Sequence, residues 1–544
     1  MVADPKASLR SEILHAARDV AGQDFTAEPR LDRPPKAEFG DFSSNAAMLI
    51  APIVGDKPRG VAERLGEAVT ERLGDALERV EVAGPGFLNL FLSDLWFRRT
   101  LGAARDSGEG FGSGTHRVLE RVLIEFVSAN PTGPAHVATG RHAAYGDSLA
   151  RILEFSGAVV EREYYVNDFG SQVRRFGESI QARARGQAPP EDGYQGDYVA
   201  TLAASFGDAD SADVESLARR GVDAMVAGMQ ATLGRFGVQM DSFFYEHTLH
   251  ESGAIDRAIE VLREHGHVFE SEGALWLRST TFGDDKDRVL RRSSGEYTYL
   301  AADIAYHEDK RGRGYDRAID VWGADHHGYM TRVQAAWQAL GGEAGRLELL
   351  IMQLVNLLER GQRAQMSKRQ GEFVTLDDLI DDIGVDAARW FLLSRSHDTT
   401  LDLDLAVARE QSQENPVYYV QYAHARIASI LRKIGAERVS VAAGVDLAGE
   451  GHSAPHPSER ALLKRVLEFP DEVAEAGVRR APHRMTTYAL EVARQFSAFY
   501  RDCHVMGAES EGGDEDFRIV LSLQAQTVIA RSLELLGVAA PEQM

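Results

Sequence analysis

The sequence predicts a multidomain α/β protein with an all-helical C-terminal part, and three observations carry that prediction. At 544 residues the chain is too long for one hydrophobic core, so about two to four domains are expected. From residue 121 to about 404, β-branched apolar runs alternate with stretches of helical period, the pattern of a parallel sheet wound by helices. From about 405 strand patterns disappear, and the remaining apolar spacing is that of an α-bundle.

Composition narrows the function. A hydrophobic fraction of 44% with 26% charged residues is ordinary for a soluble enzyme. No run approaches the roughly eighteen apolar residues of a membrane helix, and the N-terminus lacks the apolar core of a signal peptide, so a cytoplasmic protein without membrane contact is expected. The single cysteine, Cys503, excludes internal disulfides and multi-cysteine zinc sites and reads as a helix-packing residue. The formal charge of −23 means that any nucleic acid is bound by local basic faces against an unfavourable overall field, with steep salt dependence.

The elements follow in order. Residues 1–115 read as a separate α/β module: an amphipathic helix (Leu9, Ile13, Leu14, Ala17), strand-like VEVAGPGFLNLFLS, a helix from Asp94, and a Gly/Ser hinge at 108–114. Val122–Val127 is a buried strand by composition. Two prolines and Gly133 force a turn over 128–134. From about Thr139, Ala143, Ala144, Leu149, Ile152 and Leu153 recur at helical spacing up to Gly157. Strand, loop and helix in this order aim backbone N–H groups and the positive helix end at one spot, which favours an anion such as a triphosphate. VVEREYYVNDFGSQVRRFGESI is a second strand and helix. Residues 186–215, Pro/Gly-rich and acidic, read as a surface insertion. Helices at 214–236 and 252–265 and a hairpin at 266–280 follow. The bundle helices after 405 are separated by links at 439–457 and 507–514.

EFVSANPTGPAHVATGR resembles the signature loop of class I aminoacyl-tRNA synthetases, in the form typical of bacterial arginyl-tRNA synthetases. The stretch runs through Ala129, Asn130, Pro131, Thr132, Gly133, Pro134 and Ala135 into His136-Val137-Ala138-Thr139. There the family has H-x-G-H, whose Gly lets the adenine lie on the backbone and whose second His helps hold phosphates. Here those positions are Ala138 and Thr139, and His142, one turn on, is a substitute for the imidazole. The family's second signature, K-M-S-K-S, is Gln365-Met366-Ser367-Lys368-Arg369, with Lys368 as the lysine used on the phosphates. RVLRRSSGEYTYLAADIAYH resembles the part that recognises arginine: by the pattern YLxxD, Tyr299 and Asp303 face the substrate from one helical face, joined by Glu125, Ser128 and Asn130. VWGADHHGYM resembles the segment lining the ribose and adenine, which puts Gly323, Asp325 and His326 on ATP and His327 near arginine. The His326-His327 pair is not taken as a metal site, because sequence neighbours diverge in direction and no further ligand set completes one.

The resemblance covers the whole chain and implies an arginine–tRNA ligase. A Rossmann-like catalytic domain (115–404, insertion roughly 180–290) lies between an N-terminal tRNA-elbow (D-loop) domain (1–110) and an α-helical anticodon-binding domain (405–544). It implies ATP with Mg²⁺, L-arginine and the tRNA for arginine as partners, and a monomer. ATP would meet Pro134, His136, Ala138, Thr139, Gly323, Asp325, His326, Met366, Ser367 and Lys368, with His136, Thr139 and Lys368 catalytic. The tRNA would meet Phe87 and Asn89 at its elbow. Arg426, Arg432, Lys433 and the basic stretch 479–484 would meet its phosphates. The alternative is a synthetase-like paralogue of lost or altered catalysis, acting as an RNA-binding or regulatory protein.

Overall fold

The computed structural model describes residues 4–544 except 24, 35, 115–118, 364–373, 450–452 and 509–512. At its centre is a five-stranded parallel sheet. Its spatial order is Leu347–Met352, Arg317–Gly323, Arg121–Glu125, Val159–Val166 and Ser242–Tyr245. The chain starts in the middle strand, winds outward through Val159–Val166 to Ser242–Tyr245, then returns to the other side. The direction of winding therefore reverses between Arg121–Glu125 and Arg317–Gly323, and the crevice beyond the carboxyl ends of those strands is where such a sheet takes a ligand.

The middle strand is apolar on both faces, with Val122, Leu123 and Ile124 all buried. It leads into the helix Val137–Phe155, which is buried nearly all round rather than along one stripe. Close approach is set by Gly146: a Cβ there would stand 2.1 Å from the Phe126 ring, so only glycine lets the helix seat on the strand's exit. The far side of this helix packs on Leu376–Leu392 and on the C-terminal bundle. Tyr145 donates its hydroxyl to the Arg480 carbonyl (2.6 Å) and Ser148 to the Leu535 carbonyl (2.8 Å). The fully buried Arg389 donates to the carbonyls of Leu536 (2.8 Å) and Phe236 (3.0 Å) and to the Asp147 carboxylate.

The N-terminal module is an antiparallel sheet (Leu31–Asp32, Phe42–Ser44, Phe87–Leu92, Leu77–Ala83) covered by helices Pro5–Ala21, Ala46–Val54 and Pro58–Leu73. The last strand among the described residues is Leu401–Asp404. After it come helices including Pro416–Ile434, Pro457–Leu467, His483–Asp502 and Glu515–Leu535, with Cys503 buried among them.

Three expectations need correction. The link at 439–457 begins inside a helix, Ala436–Ala443. The segment 186–215 is not a bare surface excursion. It carries the helix Asp197–Ser205 and folds back onto the signature loop, where Tyr198 donates its hydroxyl to the Thr132 carbonyl (2.6 Å). In the basic stretch 479–484, Arg480 grips Glu348 of the central sheet through two 2.8 Å contacts and ties the bundle to it, while Arg484 pairs with Glu472 (2.7 Å) inside the bundle.

Candidate active site

A cleft of about 1170 Å³ opens at the carboxyl ends of the parallel strands, where the winding reverses. The signature loop forms its floor. Val127 (φ 71°) and Ser128 (φ 40°) both occupy the left-handed region, which a β-branched valine rarely adopts, and such residues cost of order 1–3 kcal/mol each. Hydrogen bonds hold the turn in place. Ser128 Oγ donates to Glu125 Oε1 (2.8 Å) and accepts from the Tyr165 N–H (3.1 Å). Tyr164 donates its hydroxyl to the Ala129 carbonyl (2.7 Å). Asn130 donates from Nδ2 to Gln172 (3.0 Å). Pro131 and Ala135 are buried beneath the loop, while Pro134 lines the cleft.

His136 is the N-cap of Val137–Phe155, with Nδ1 accepting from the Thr139 N–H (3.3 Å). Desolvation holds its ring below the usual imidazole range, so it acts near neutrality as a neutral hydrogen-bonding group. Thr139 is largely buried but lines the cleft, and its hydroxyl lies 3.4 Å from the same nitrogen. His142 is driven down to about 4, first by burial, so it cannot replace the lost imidazole as a cation. Positive potential on this side comes instead from the helix N-terminus. Ala138 lines the cleft next to these groups. Across it, Gly323 N-caps the short turn Ala324–Tyr329, and Asp325 and His326 line the wall.

The second signature, Met366, Ser367 and Lys368, lies outside the described residues. The chain that follows it is stitched to the first. Val137 N–H donates to the Val374 carbonyl (3.3 Å), Leu376 N–H donates to the Ala135 carbonyl (2.8 Å), and His136 and Thr375 pair as an antiparallel bridge.

The other end of the cleft is acidic. Helix Tyr299–Gly312 brings Tyr299 and Asp303 to it, Tyr299 with 73% of its surface exposed. Burial lifts the Asp303 carboxyl above its ordinary range, opposed by the Tyr329 hydroxyl, which donates to it. Behind it the side chain of Lys310 is completely buried, donating to Glu125 Oε2 (2.6 Å) and Asp320 Oδ1 (2.8 Å). His307 lies 3.1 Å from Asp320 Oδ2 through Nε2 and 2.7 Å from the Asp303 carbonyl through Nδ1. Burial raises Glu125, partly offset by Lys310.

Several expected residues are placed differently. His327 is exposed and is not part of the cleft wall, because the turn at 324–329 points it outward; Tyr329 faces Asp303 instead. In the N-terminal module Phe87 is 38% exposed, whereas Asn89 is buried with Oδ1 accepting from Ser43 (2.9 Å), so only the ring is presented. Arg426 and Lys433 are exposed on Pro416–Ile434, and Arg426 lies 4.9 Å over the Tyr500 ring.

Sequence reasoning missed Glu246. It follows the strand Ser242–Tyr245 directly, lines the cleft, and is pushed up to about 7, first by burial and then by Asp303. The available signal was positional: a carboxylate just past the carboxyl end of a parallel strand stands on the ligand side.

A cradle at a helix N-terminus facing an acidic pocket, on this sheet order, fits a class I tRNA synthetase catalytic domain. A family model described as "tRNA synthetases class I (R), catalytic domain" matches residues 198–427. "Arginyl tRNA synthetase N terminal domain" matches 7–92 and "DALR anticodon binding domain" matches 420–544. Arginine–tRNA ligase of Heliobacterium modesticaldum is 42% identical over 534 residues, covering 94% of this chain and 93% of that protein. That of Geobacillus thermodenitrificans is 42% identical over 562 residues, covering 100% of both. The arginyl-tRNA synthetase structure of Thermus thermophilus shares the fold, with a TM-score of 0.78 at 23% identity, over 99% of this chain and 100% of that one. The chain belongs to the arginyl-tRNA synthetase family. It joins arginine to tRNA, with ATP as a substrate.

Proposed function

We propose that the cleft binds the two small substrates side by side, arginine at the acidic end and ATP over the signature helix. The guanidinium lies between Asp303 and Glu246 with Tyr299 closing over it, and Asn130 is within reach of the amino acid's backbone groups. Glu125 has both oxygens engaged by Ser128 and Lys310, and it supports this pocket from beneath through its remaining lone pairs. ATP lies along Pro134, His136 and Ala138, its ribose and adenine toward Gly323, Asp325 and His326. Its phosphates sit at the helix N-terminus, where Met366, Ser367 and Lys368 complete the cradle.

The arginine carboxylate attacks the α-phosphorus, the bond to pyrophosphate breaks, and arginyl-adenylate forms. The 2′-hydroxyl of the tRNA's terminal adenosine then attacks the carbonyl and AMP leaves. The protein's contribution is positional and electrostatic. Among the described residues no group of three or more His, Cys, Asp or Glu could hold a metal ion. In this reading Mg²⁺ accompanies the triphosphate substrate.

The proposed division of labour is 1–110 on the tRNA elbow through Phe87, 115–404 for catalysis, and 405–544 on the anticodon arm with Arg426 and Lys433 on phosphates. The protein works as a cytoplasmic monomer. No helix among the described residues is long and apolar enough to cross a membrane.

The single observation that supports this reading most is the juxtaposition of Asp303 and the N-terminus of Val137–Phe155 in one cleft. The test is AMP formation dependent on arginine and tRNA, with Asp303→Ala and Lys368→Ala alongside. Both variants should lose most of the rate, and a wild-type rate in either removes that residue from the site.

A further inference from the structure

The segment 186–215 has no part in the chemistry above, yet it ends against the signature loop. Its DGYQGDY stretch is rigidly built. Tyr194 N–H donates to Ser179 Oγ (2.9 Å), Arg183 donates to the Gln195 carbonyl (2.9 Å), and Gln195 donates to the Pro190 carbonyl (2.7 Å). Gly196 leaves room for the Tyr198 ring, since a Cβ there would stand 2.6 Å from it. That ring packs against Phe176, at 6.4 Å between centroids, and Phe176 is itself fully buried. Its hydroxyl donates to the Thr132 carbonyl at 2.6 Å, and Thr132 N–H donates back to the Asn130 carbonyl at 2.8 Å.

The loop thus has two tyrosine straps. Tyr164 reaches the Ala129 carbonyl from the sheet, and Tyr198 reaches Thr132 from the insertion. Both are needed for one physical reason. The turn enters through two residues of unfavourable φ, Val127 and Ser128, so it relaxes unless contacts further along fix it. A trans peptide is planar, so holding the Thr132 carbonyl also fixes the Gly133 N–H, which points the opposite way.

We propose that Tyr198 is a positioning residue for arginine activation: the insertion holds the strained signature loop in its working shape through this one hydroxyl. The inference rests on the cleft being the activation site. Burial pushes the Tyr198 hydroxyl up to about 12, so it remains a donor across the working pH range.

Tyr198→Phe keeps the ring and deletes only the donor. Loss of a neutral hydrogen bond to a buried carbonyl should lower kcat for tRNA-dependent activation about tenfold. KM for tRNA and the melting temperature should stay near wild type, and the ratio of the two rates should stay flat from about pH 6 to 9. Amide exchange over 128–133 in the free enzyme should quicken. Tyr315→Phe, which deletes a hydroxyl paired with Glu161 beside the opposite end of the sheet, serves as the control and should leave both readouts unchanged. A wild-type kcat, unchanged exchange in the loop, or a kcat loss that only tracks a lowered melting temperature overturns the proposal. Asp303→Ala is assayed in parallel. If it too is fully active the site reading has failed, whereas a damaged Asp303→Ala beside an intact Tyr198→Phe removes only the strap.

Discussion

The two ends of the cleft are built by different means. At the acidic end three carboxylates are held before any substrate arrives: Asp303 by Tyr329, Glu125 by Ser128 and Lys310, and Asp320 by Lys310 and His307. At the nucleotide end the described residues supply backbone, a neutral histidine at an N-cap, and a threonine whose hydroxyl lies against that histidine. A guanidinium is a permanent, planar charge and can be met by a rigid pocket. The charge that grows on phosphorus exists only during reaction, and the fixed dipole of a helix N-terminus can meet it without a clamp on the ground state. The departures from the family pattern fall on the nucleotide side, at Ala138 and Thr139, where the Thr139 N–H is taken up by His136 Nδ1 as the helix cap.

The contrast breaks most visibly at Lys310. Lys310→Met removes the cation between two buried carboxylates, and an uncompensated buried charge typically costs about 3–5 kcal/mol. The variant should unfold at clearly lower denaturant concentration. Its loss should shrink at acid pH, where Glu125, already raised by burial, takes up a proton. Equal destabilisation at all pH values would mean that lost packing, not charge, dominates. Asp303→Asn comes next. It keeps shape and the Tyr329 contact but removes the charge, worth roughly 1.5–3 kcal/mol in a charged hydrogen bond. kcat/KM for arginine should fall about tenfold to a hundredfold, while KM for ATP should change little. An equal rise in both KM values would show that the two ends are not separable.

Much of this architecture was legible because it is local. The signature loop, its helix and the Tyr299/Asp303 spacing each sit within one short stretch, where turn chemistry and helical period report directly on geometry. The alternation of strands and helices likewise disclosed the parallel sheet. What stayed hidden depends on contacts between distant residues. Lys310 looks like any helix-surface lysine until Glu125, far earlier in the chain, is seen against it. Glu246 and Tyr198 belong to stretches without a motif, and His327 was misplaced because a one-residue difference around a short turn reverses a side chain's direction. The fate of Asn89 is similar: it shares a strand face with Phe87, two residues earlier, yet only Phe87 at the strand's start is exposed and everything from Leu88 to Leu92 is buried, so packing around the sheet rather than alternation hides Asn89.

Glu246 sharpens the comparison by giving the acidic end a carboxyl that changes charge near neutrality, whereas burial pushes His136 and His142 of the nucleotide end downward. Burial, and then the neighbouring Asp303, push its carboxyl from the ordinary glutamate range of about 4.5 up to about 7. Below neutrality it is protonated and offers less attraction to a guanidinium, so KM for arginine should fall several-fold as pH rises from about 6 to 8. Glu246→Gln should flatten that profile. Stability moves the other way. The folded protein retains a proton that the unfolded chain has released, so this group's contribution declines as pH rises from about 4.5 to about 7, and Glu246→Gln should remove that decline. Chemical denaturation across this range reads the second effect, and steady-state arginine kinetics the first. A flat arginine profile in the wild type would exclude Glu246 from the guanidinium's surroundings.

Tyr329→Phe is expected to give the smallest change, and it tests whether pre-arrangement at the acidic end matters at all. The hydroxyl donates to Asp303 and is itself held strongly protonated by burial and by that carboxylate, so it is a pure donor. Without it, Asp303 loses one of its stabilising contacts in the empty cleft, and its carboxyl, already lifted by burial, should rise further. Arginine then has to charge and orient the carboxylate as it binds, a penalty of about 1 kcal/mol for one neutral hydrogen bond. The expected result is a rise of about fivefold in KM for arginine, larger at acid pH, with kcat near wild type. A lowered kcat at unchanged KM would mean that Tyr329 acts during the reaction rather than before it, and that the acidic end, like the nucleotide end, completes itself only as charge develops.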